Sequence, residues 1–332
     1  MAKTFRKQDI ADDYAQRFPK GRTAPIARRM HNENPGVWPN QNAASLALRR
    51  ARGRQGVASR KIMPPVVESP DHDSAPFAKL PDGLHTLEDS TPVEVNASRV
   101  LVLGDVHLPY HEKNILELAV REAKRFKVDC VILNGDIVDF YAISRWQTDP
   151  RARDFSAEVN LAREFFVMLR DAFPGAQIIY KIGNHEERYD IYMQSKAPEM
   201  LGIDDFVFEN ILRLPRLRIK TFDRLRHLQL GKLAIVHGHE FANGIYSPVN
   251  PARGLYLKAK TTAMCGHAHQ ESKHSERALD GREIGTWSVG CCCDLKPRYM
   301  PNNSWTHGFA LIECYKSLFA VQNKRVIDGV CV

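Results

Sequence analysis

The 332-residue sequence predicts an α/β body preceded by a small helical module. Three observations carry this expectation. From residue 98 onward, short runs rich in Val, Ile and Leu alternate with segments of helical apolar spacing. Those runs end in glycine-led clusters of Asp, Asn and His. The net positive charge is concentrated in the first 65 residues, where 14 Lys and Arg face four carboxylates for a balance of +10; the other 33 basic and 35 acidic residues leave −2.

A hydrophobic content of 43% with 26% charged residues is that of a soluble globular chain able to form a sizeable core. Seven cysteines, an odd number with no C-x-x-C spacing, argue against a disulfide framework and fit a reducing compartment. The opening M-A-K-T-F-R-K-Q-D-I lacks the apolar stretch of a secretory signal, and no run reaches membrane-spanning length. The expectation is a soluble, cytoplasmic protein without a membrane partner.

Residues 1–61 form the basic module. Thr23 to His31 predicts a short helix with a capping Thr23 and an early Pro25. N-E-N-P-G-V-W-P-N is a turn-rich connection, and Gln41 to Arg52 predicts a second helix ending at Gly53. Arg49, Arg50, Arg52 and Arg54 gather at its carboxyl end, where they suit the helix dipole. Ile26, Met30, Val37, Trp38, Leu46 and Leu48 supply apolar faces, so the pair is helix-turn-helix-like with a long connection. A local positive charge attracts polyanions, so nucleic acid is the expected partner; a solvated basic tail is the alternative. Residues 62–97 are proline-dense and acidic, an extended tether. His72 lies there between Asp71 and Asp73, a solvated loop rather than a ligand trio.

Residues 98–332 form the body. Arg99 to Leu103, Cys130 to Leu133 and Gln177 to Ile182 predict buried strands. Between them, Asn114 to Lys127 and Glu158 to Phe173 have helical spacing, the second ending at Pro174-Gly175. Lys232 to Val236 and Thr261 to Cys265 predict later strands, with a further set around Glu283 to Val289 and Phe309 to Cys314. Ligands of α/β sheets gather at the carboxyl ends of strands. There stand Gly104-Asp105-x-His107, Gly135-Asp136-x-x-Asp139, Gly183-Asn184-His185-Glu186, His237-Gly238-His239 and Gly266-His267-x-His269. In an extended segment Asp105 and His107 would face the same side, a carboxylate and an imidazole suited to one metal. Singly, Asp105 could cap a helix, Gly183-Asn184 could be a turn, and His107 or His237 could be core histidines. Five of the thirteen histidines (His107, His185, His237, His267 and His269) fall on motif positions in these clusters, which favours a joint site over separate structural roles.

Taken in order, these five blocks resemble the signature of the calcineurin-like metallophosphoesterases across roughly residues 98–315. The resemblance implies a four-layer α/β/β/α sandwich with a dinuclear metal site at strand ends. It implies that Asp105, His107 and His269 bind one metal, Asp136 bridges, and Asn184, His237 and His267 bind the second. The expected cofactor is two divalent ions, Mn²⁺ first, with Fe, Ni or Zn as alternatives. Such a pair lowers the pKa of a shared water enough to give hydroxide near neutral pH, which attacks phosphorus in line. His185 matches the family's general acid, and Asp139 the aspartate that orients and charges it.

Subfamily departures narrow the substrate. Phe140 and Ile182 stand where the Ser/Thr protein phosphatases have arginines, although Glu186 matches their block. The basic module resembles the layout of phage- and mobile-element-encoded phosphoesterases, and points to a phosphodiesterase or nuclease on DNA or RNA. The alternatives are a small-nucleotide or general phosphomonoesterase and a DNA-binding accessory protein with a vestigial metal site. His239 is expected to hydrogen-bond locally, and Cys291, Cys292 and Cys293 to be buried thiols rather than one zinc site. Trp305 is expected to be structural, with His307 beside it; Arg145, Arg188 and Arg253 are candidate phosphate contacts.

Overall fold

The computed structural model describes residues 7–19, 22–53, 89–146, 148–245, 249–316 and 318–332. The chain divides into two units, Met1–His85 and Thr86–Val332.

The first unit holds three helices, α1 (Lys7–Arg17), α2 (Thr23–Glu33) and α3 (Gln41–Ala51). The sequence pointed to two of them; α1 escaped because its buried stripe is only Ala11 and Tyr14 among charged neighbours. These two pack with Ala27, Met30, Trp38, Ala44 and Leu48 into a closed core. Thr23 does not cap α2, since it is the first helical residue and the preceding Arg22 makes no side-chain cap bond. The cap falls at α3 instead, where Asn40 Oδ1 accepts from Ala43 N at 2.9 Å. Ala44 and Leu48, one helical turn apart, take the inner face, so Leu46 turns outward and is 41% exposed rather than part of the apolar face. Arg52 donates to the Phe18 carbonyl and to Thr23 Oγ1, tying the end of α3 to the α1–α2 connection. Arg22, Arg28, Arg29, Arg49 and Arg50 are exposed. Arg54 and His72 lie outside the described residues.

The second unit begins inside the expected tether. β1 (Val93–Glu94) pairs parallel with β6 (Leu228–Leu230), so residues 93–94 belong to a sheet. Two sheets follow. One has the order β1-β6-β7-β8-β10-β9, with β7 (Leu233–Ile235), β8 (Ala263–Cys265), β9 (Ser272–Arg277) and β10 (Glu283–Ser288). The other runs β13-β12-β11-β2-β3-β4-β5. Its members are β2 (Arg99–Leu103), β3 (Cys130–Asn134), β4 (Gln177–Lys181), β5 (Ile219–Phe222), β11 (His307–Tyr315), β12 (Leu318–Ile327) and β13 (Val330–Cys331).

Val100, Val102, Ile132 and Ile179 of the second sheet pack on Leu228, Leu230, Ile235 and Met264 of the first, so the sheets lie face to face. Alternate residues of the same strands, Leu101, Leu103, Val131 and Leu133, point the other way. They meet α4 (Lys113–Phe126) through Ile115 and Leu118, and α5 (Phe155–Ala172) through Phe166 and Leu169. On the outer face of the first sheet, α8 (Pro251–Ala259) buries Leu255 on Ala234, Val236, Ala263 and Cys265. Two shorter helices, α6 (Glu187–Lys196) and α7 (Phe208–Ile211), add Tyr189, Met193 and Phe208 to the α4–α5 layer. The result is the expected α/β/β/α layering. No helix among the described residues is long and apolar enough to cross a membrane.

Strands buried on both faces read clearly as apolar runs, and β2, β3 and β4 fall within a residue of expectation. β9 was missed because S-K-H-S-E-R carries no apolar residue, being an edge strand held by antiparallel pairing to β10. Expected α5 started late: Asp154 Oδ1 caps it from Ala157 N at 2.9 Å, placing Glu158 inside the first turn.

Glu158 is 5% exposed and accepts from Tyr141 N at 2.9 Å. Burial, aided by the Asp139 charge, pushes its carboxyl up to about 7. The native state then holds a proton that the unfolded chain releases near its ordinary 4.5, so stability falls as pH rises from about 4.5 through 7. Glu158→Gln removes this loss. It is expected to match the wild type at pH 4 and to exceed it by about 1–2 kcal/mol at pH 8, allowing for partial solvation. Thermal unfolding of both proteins at the two pH values checks this; equal differences at both would refute it.

Candidate metal centre

The five clusters all sit at carboxyl ends of strands and converge. Asp105 and His107 follow β2, Asp136 and Asp139 follow β3, and Asn184 and His185 follow β4. His237 follows β7, and His267 and His269 follow β8 on the opposite sheet. The Asp105–His107 segment is not extended, as the sequence suggested. Asp105 (φ 53°), His107 (51°), Asp136 (52°), His267 (65°) and His269 (54°) all adopt the left-handed conformation. The chain turns sharply at each strand end, and backbone hydrogen bonds from Asp105 N to Gly135 O and from Val106 N to Asp136 O lock two of the turns together. The glycines permit the approach: a Cβ at Gly183 would lie 2.6 Å from Asp136 N, and one at Gly266 would lie 2.6 Å from Asp105 Oδ2.

Two groups result. Ligand atoms of Asp105, His107, Asp136 and His269 lie within 4.8 Å of one another, as do those of Asp136, His237 and His267. Asp136 is common to both. All but His267 are buried. His107 Nε2 is 3.0 Å from His269 Nε2, His269 Nε2 is 3.1 Å from Asp105 Oδ1, and His237 Nε2 is 3.2 Å from Asp136 Oδ2. Such separations are the edges of a coordination shell whose ligands stand about 2.1 Å from one cation at about 90°.

The donor set fits metal ions. His237 Nδ1 donates to the Asn134 carbonyl at 2.7 Å, which leaves Nε2 a bare lone pair with no hydrogen-bond donor among the described residues. His107 Nδ1 donates to Asp139 Oδ2 at 3.0 Å, which turns its Nε2 toward His269 Nε2, the two ring nitrogens 3.0 Å apart. Asn184 Oδ1 is buried without a hydrogen-bond partner among the described residues. Buried, unpartnered lone pairs beside carboxylates are expensive unless a cation receives them.

Without a cation the carboxylates draw a proton to His237 Nε2 instead: burial alone would lower the His237 pKa, but Asp136 and Asp105 overcome it and push it up to about 10, so a bound metal would displace that proton. Burial would raise Asp136, but His237 and His185 hold it well below the usual carboxylate range. Burial and the neighbouring His237 bring His267 down to about 4, leaving it neutral and able to ligate at pH 7.

A calcineurin-like phosphoesterase family model matches residues 98–278, more than half of the chain and all five strand-end clusters. The chain belongs to that family. Its dinuclear metal dependence therefore extends to this protein, with the two groups above as the candidate ligands. The Gene 54 protein of Mycobacterium phage L5 is 23% identical over 229 residues, covering 65% of this chain and 89% of that protein. Among solved structures, a dimetal phosphatase from Danio rerio is 13% identical at a TM-score of 0.36, covering 69% of this chain and 96% of that one. A zinc-complexed Vps29 from Entamoeba histolytica is 12% identical at 0.37, covering 70% and 96%.

Within this calcineurin-like site, Asp139 does more than orient His185. Its Oδ2 accepts from His107 Nδ1 and lies 3.3 Å from His185 Nδ1, while its backbone carbonyl is 3.1 Å from the same His185 atom. Arg188 donates to the Asp139 carbonyl at 2.8 Å, and its Nη2 stands 2.9 Å from His185 Nε2. Burial opposes ionisation of Asp139, yet the bonds from His107 and His185 hold it well below the usual carboxylate range.

Sequence reasoning missed Glu186 as a site residue. It is 1% exposed and accepts from the N–H groups of Asp136, Ile137, Val138 and Gly183 and from the Tyr180 hydroxyl. It also missed Lys181, fully buried, whose Nζ is 3.0 Å from Glu240 Oε1; Glu240 in turn accepts from His237 N at 2.9 Å and from Gly238 N. The signal was present as a Lys in an otherwise apolar run. His239 hydrogen-bonds Glu187 at 3.2 Å, the local role expected. Cys291–Cys293 are buried as expected, but Cys293 Sγ also lies within 4.8 Å of ligand atoms of His107 and His269. Trp305 packs its ring edge-on against His269, centroids 4.1 Å apart, so its packing role falls at the metal rim. His307 Nε2 bonds the Cys293 carbonyl, Arg145 lies over Trp146, and exposed Arg253 opens α8; none of the three joins the cluster.

Proposed function

We propose that this phosphoesterase is a two-metal phosphodiesterase acting on nucleic acid, with Asp105, His107 and His269 on one ion, Asn184, His237 and His267 on the other, and Asp136 bridging. The observation that carries the substrate class is the distribution of charge. Residues 66–332 together carry a balance of −2, whereas the three-helix unit presents Arg22, Arg28, Arg29, Arg49 and Arg50 to solvent. A folded basic unit joined to a diesterase concentrates a polyanionic substrate near the site. Mn²⁺ is the metal favoured by a donor set of oxygens and imidazoles.

The ion pair supplies an activated nucleophile and neutralises charge on the phosphoryl oxygens. The chain's own groups do the rest. His185, standing beside the bridge with its backbone N–H on Asp136 Oδ1 at 2.9 Å, protonates the departing oxygen. Asp139 fixes the ring through Nδ1, leaving Nε2 as the atom that carries the proton. In the substrate-free protein Nε2 accepts from Arg188 Nη2; when that guanidinium moves to a phosphate oxygen, Nε2 takes up a proton from solvent and delivers it to the leaving oxygen.

The test is a metal-by-substrate screen of the full chain with Mn²⁺, Ni²⁺, Fe²⁺ and Zn²⁺. The substrates are bis-p-nitrophenyl phosphate, p-nitrophenyl phosphate, and single- and double-stranded DNA and RNA. The expected result is Mn²⁺-dependent turnover of the diester and of at least one nucleic acid. Replacing Arg28, Arg49 and Arg50 by Ala should weaken nucleic-acid binding and lower its salt slope by up to about 3, with diester turnover unchanged. Turnover of the monoester alone would make the protein a phosphomonoesterase. Binding of nucleic acid with no hydrolysis under any metal would leave an accessory protein.

A further inference from the structure

The loop between β10 and β11 makes an aromatic rim over one side of the metal centre. Trp305 rests on His269, and Tyr299 stands 6.3 Å from Trp305, centroid to centroid, at 65°. The loop is built rather than loose. Asn303 Nδ2 donates to the carbonyls of Leu295 and Met300 at 2.8 Å each, its Oδ1 accepts from Trp305 N at 2.9 Å, and Thr306 N donates to the His269 carbonyl at 2.8 Å. Yet the Tyr299 ring it carries is 70% exposed. Through Trp305 this ring is one aromatic contact removed from His269, a candidate ligand. The backbone of Tyr110 ties the start of the same loop to the site: its N–H bonds the His107 carbonyl, and its own carbonyl accepts from Asp294 N.

A rigid loop that leaves a large aromatic face in water beside a phosphoester site has lost apolar burial with no return inside the fold. A flat, π-faced partner carrying a phosphate repays that loss, and the Arg188 guanidinium at that site favours the anion attached to it. We propose that Tyr299, backed by Trp305, is a stacking platform for the nucleobase next to the scissile phosphate. This deepens the phosphodiesterase reading and rests on it for the reaction, but not for the binding. Stacking tolerates any base, because every base has a π-face, so the platform selects nucleotides over simple phosphoesters without reading sequence. It also requires an unpaired or flipped-out base, which makes single-stranded nucleic acid the favoured substrate.

The test compares two diesters with one leaving group, thymidine 5′-p-nitrophenyl phosphate and ethyl p-nitrophenyl phosphate, on the metal-loaded full chain. Tyr299→Ala is expected to raise KM for the nucleoside ester about tenfold with kcat nearly unchanged, and to leave the ethyl ester untouched. Tyr299→Phe should retain wild-type values for both. Calorimetric titration of thymidine 5′-monophosphate, with inorganic phosphate as the control, reads the platform without turnover. Tyr299→Ala should lose about tenfold in affinity for the nucleotide and nothing for phosphate. Equal effects on both ligands, or none on the nucleotide, would overturn the platform. Failure of the wild type to hydrolyse either diester, with nucleotide affinity still dependent on Tyr299, would instead sink the diesterase reading and leave the platform standing.

Discussion

Asp136→Asn is expected to lower kcat at least about 10³-fold and to cost the protein both metals, not one. The residue is the one carboxylate common to both ligand groups. Asn keeps the shape and can still accept from His185 N through Oδ1. Its amide, however, offers N–H toward His237 Nε2, where a ligand oxygen is needed, and removes the negative charge that holds two dications together. Metal analysis after gel filtration, with circular dichroism to verify the fold, makes the measurement. His185→Asn supplies the contrast: two ions retained and a rate loss of about 10²–10⁴. An Asp136→Asn protein that kept two ions and its rate would end the bridging assignment.

Glu186→Gln is expected to destabilise the body by about 3–5 kcal/mol, the largest stability effect of any single side-chain change proposed for it. Both oxygens of Glu186 are saturated by donors. Oε2 takes Asp136 N at 2.9 Å and Gly183 N at 2.8 Å; Oε1 takes Ile137 N at 2.7 Å, Val138 N at 3.2 Å and Tyr180 Oη at 2.7 Å. A glutamine of the same size must turn an NH₂ toward one of these sets, placing donor against donor in a buried site. The carboxylate's cost is real, since burial and the nearby Asp136 push its pKa up, but five donors compensate the charged form. Urea unfolding measures the loss, and Tyr180→Phe, which removes one donor and keeps the ring, should cost only about 1–2 kcal/mol. Equal stability of Glu186→Gln and wild type would show that this knot does not hold the two loops.

Which parts of this molecule were legible in the sequence follows from how each was stabilised. Strands buried on both faces announce themselves, and so do ligand residues, because few side chains can bind a cation. The order Asp105 to His269 therefore gave the site before any coordinates. Supporting residues were harder. Glu186 satisfies backbone donors on a loop 48 to 50 residues away, and Lys181 meets Glu240 only because β4 and the turn after β7 come together in space. The left-handed backbone at Asp105 and His107 was invisible for a related reason. That conformation is uncommon for such residues and persists where surrounding hydrogen bonds determine it, which no local pattern encodes. α1 was missed on the opposite ground: its buried residues are too few to mark a periodicity.

The ligand groups draw on both sheets. Asp105, His107 and Asp136 come from one, and His237, His267 and His269 from the other. Within the protein alone this seam is closed by modest contacts, such as Asn134, whose carbonyl accepts from His237 and whose Nδ2 donates to the Val236 carbonyl at 2.9 Å. Bound ions would rivet the sandwich at its open rim. Catalytic cofactor and structural fastener would then be the same object, and metal that binds only the folded chain would add to its stability.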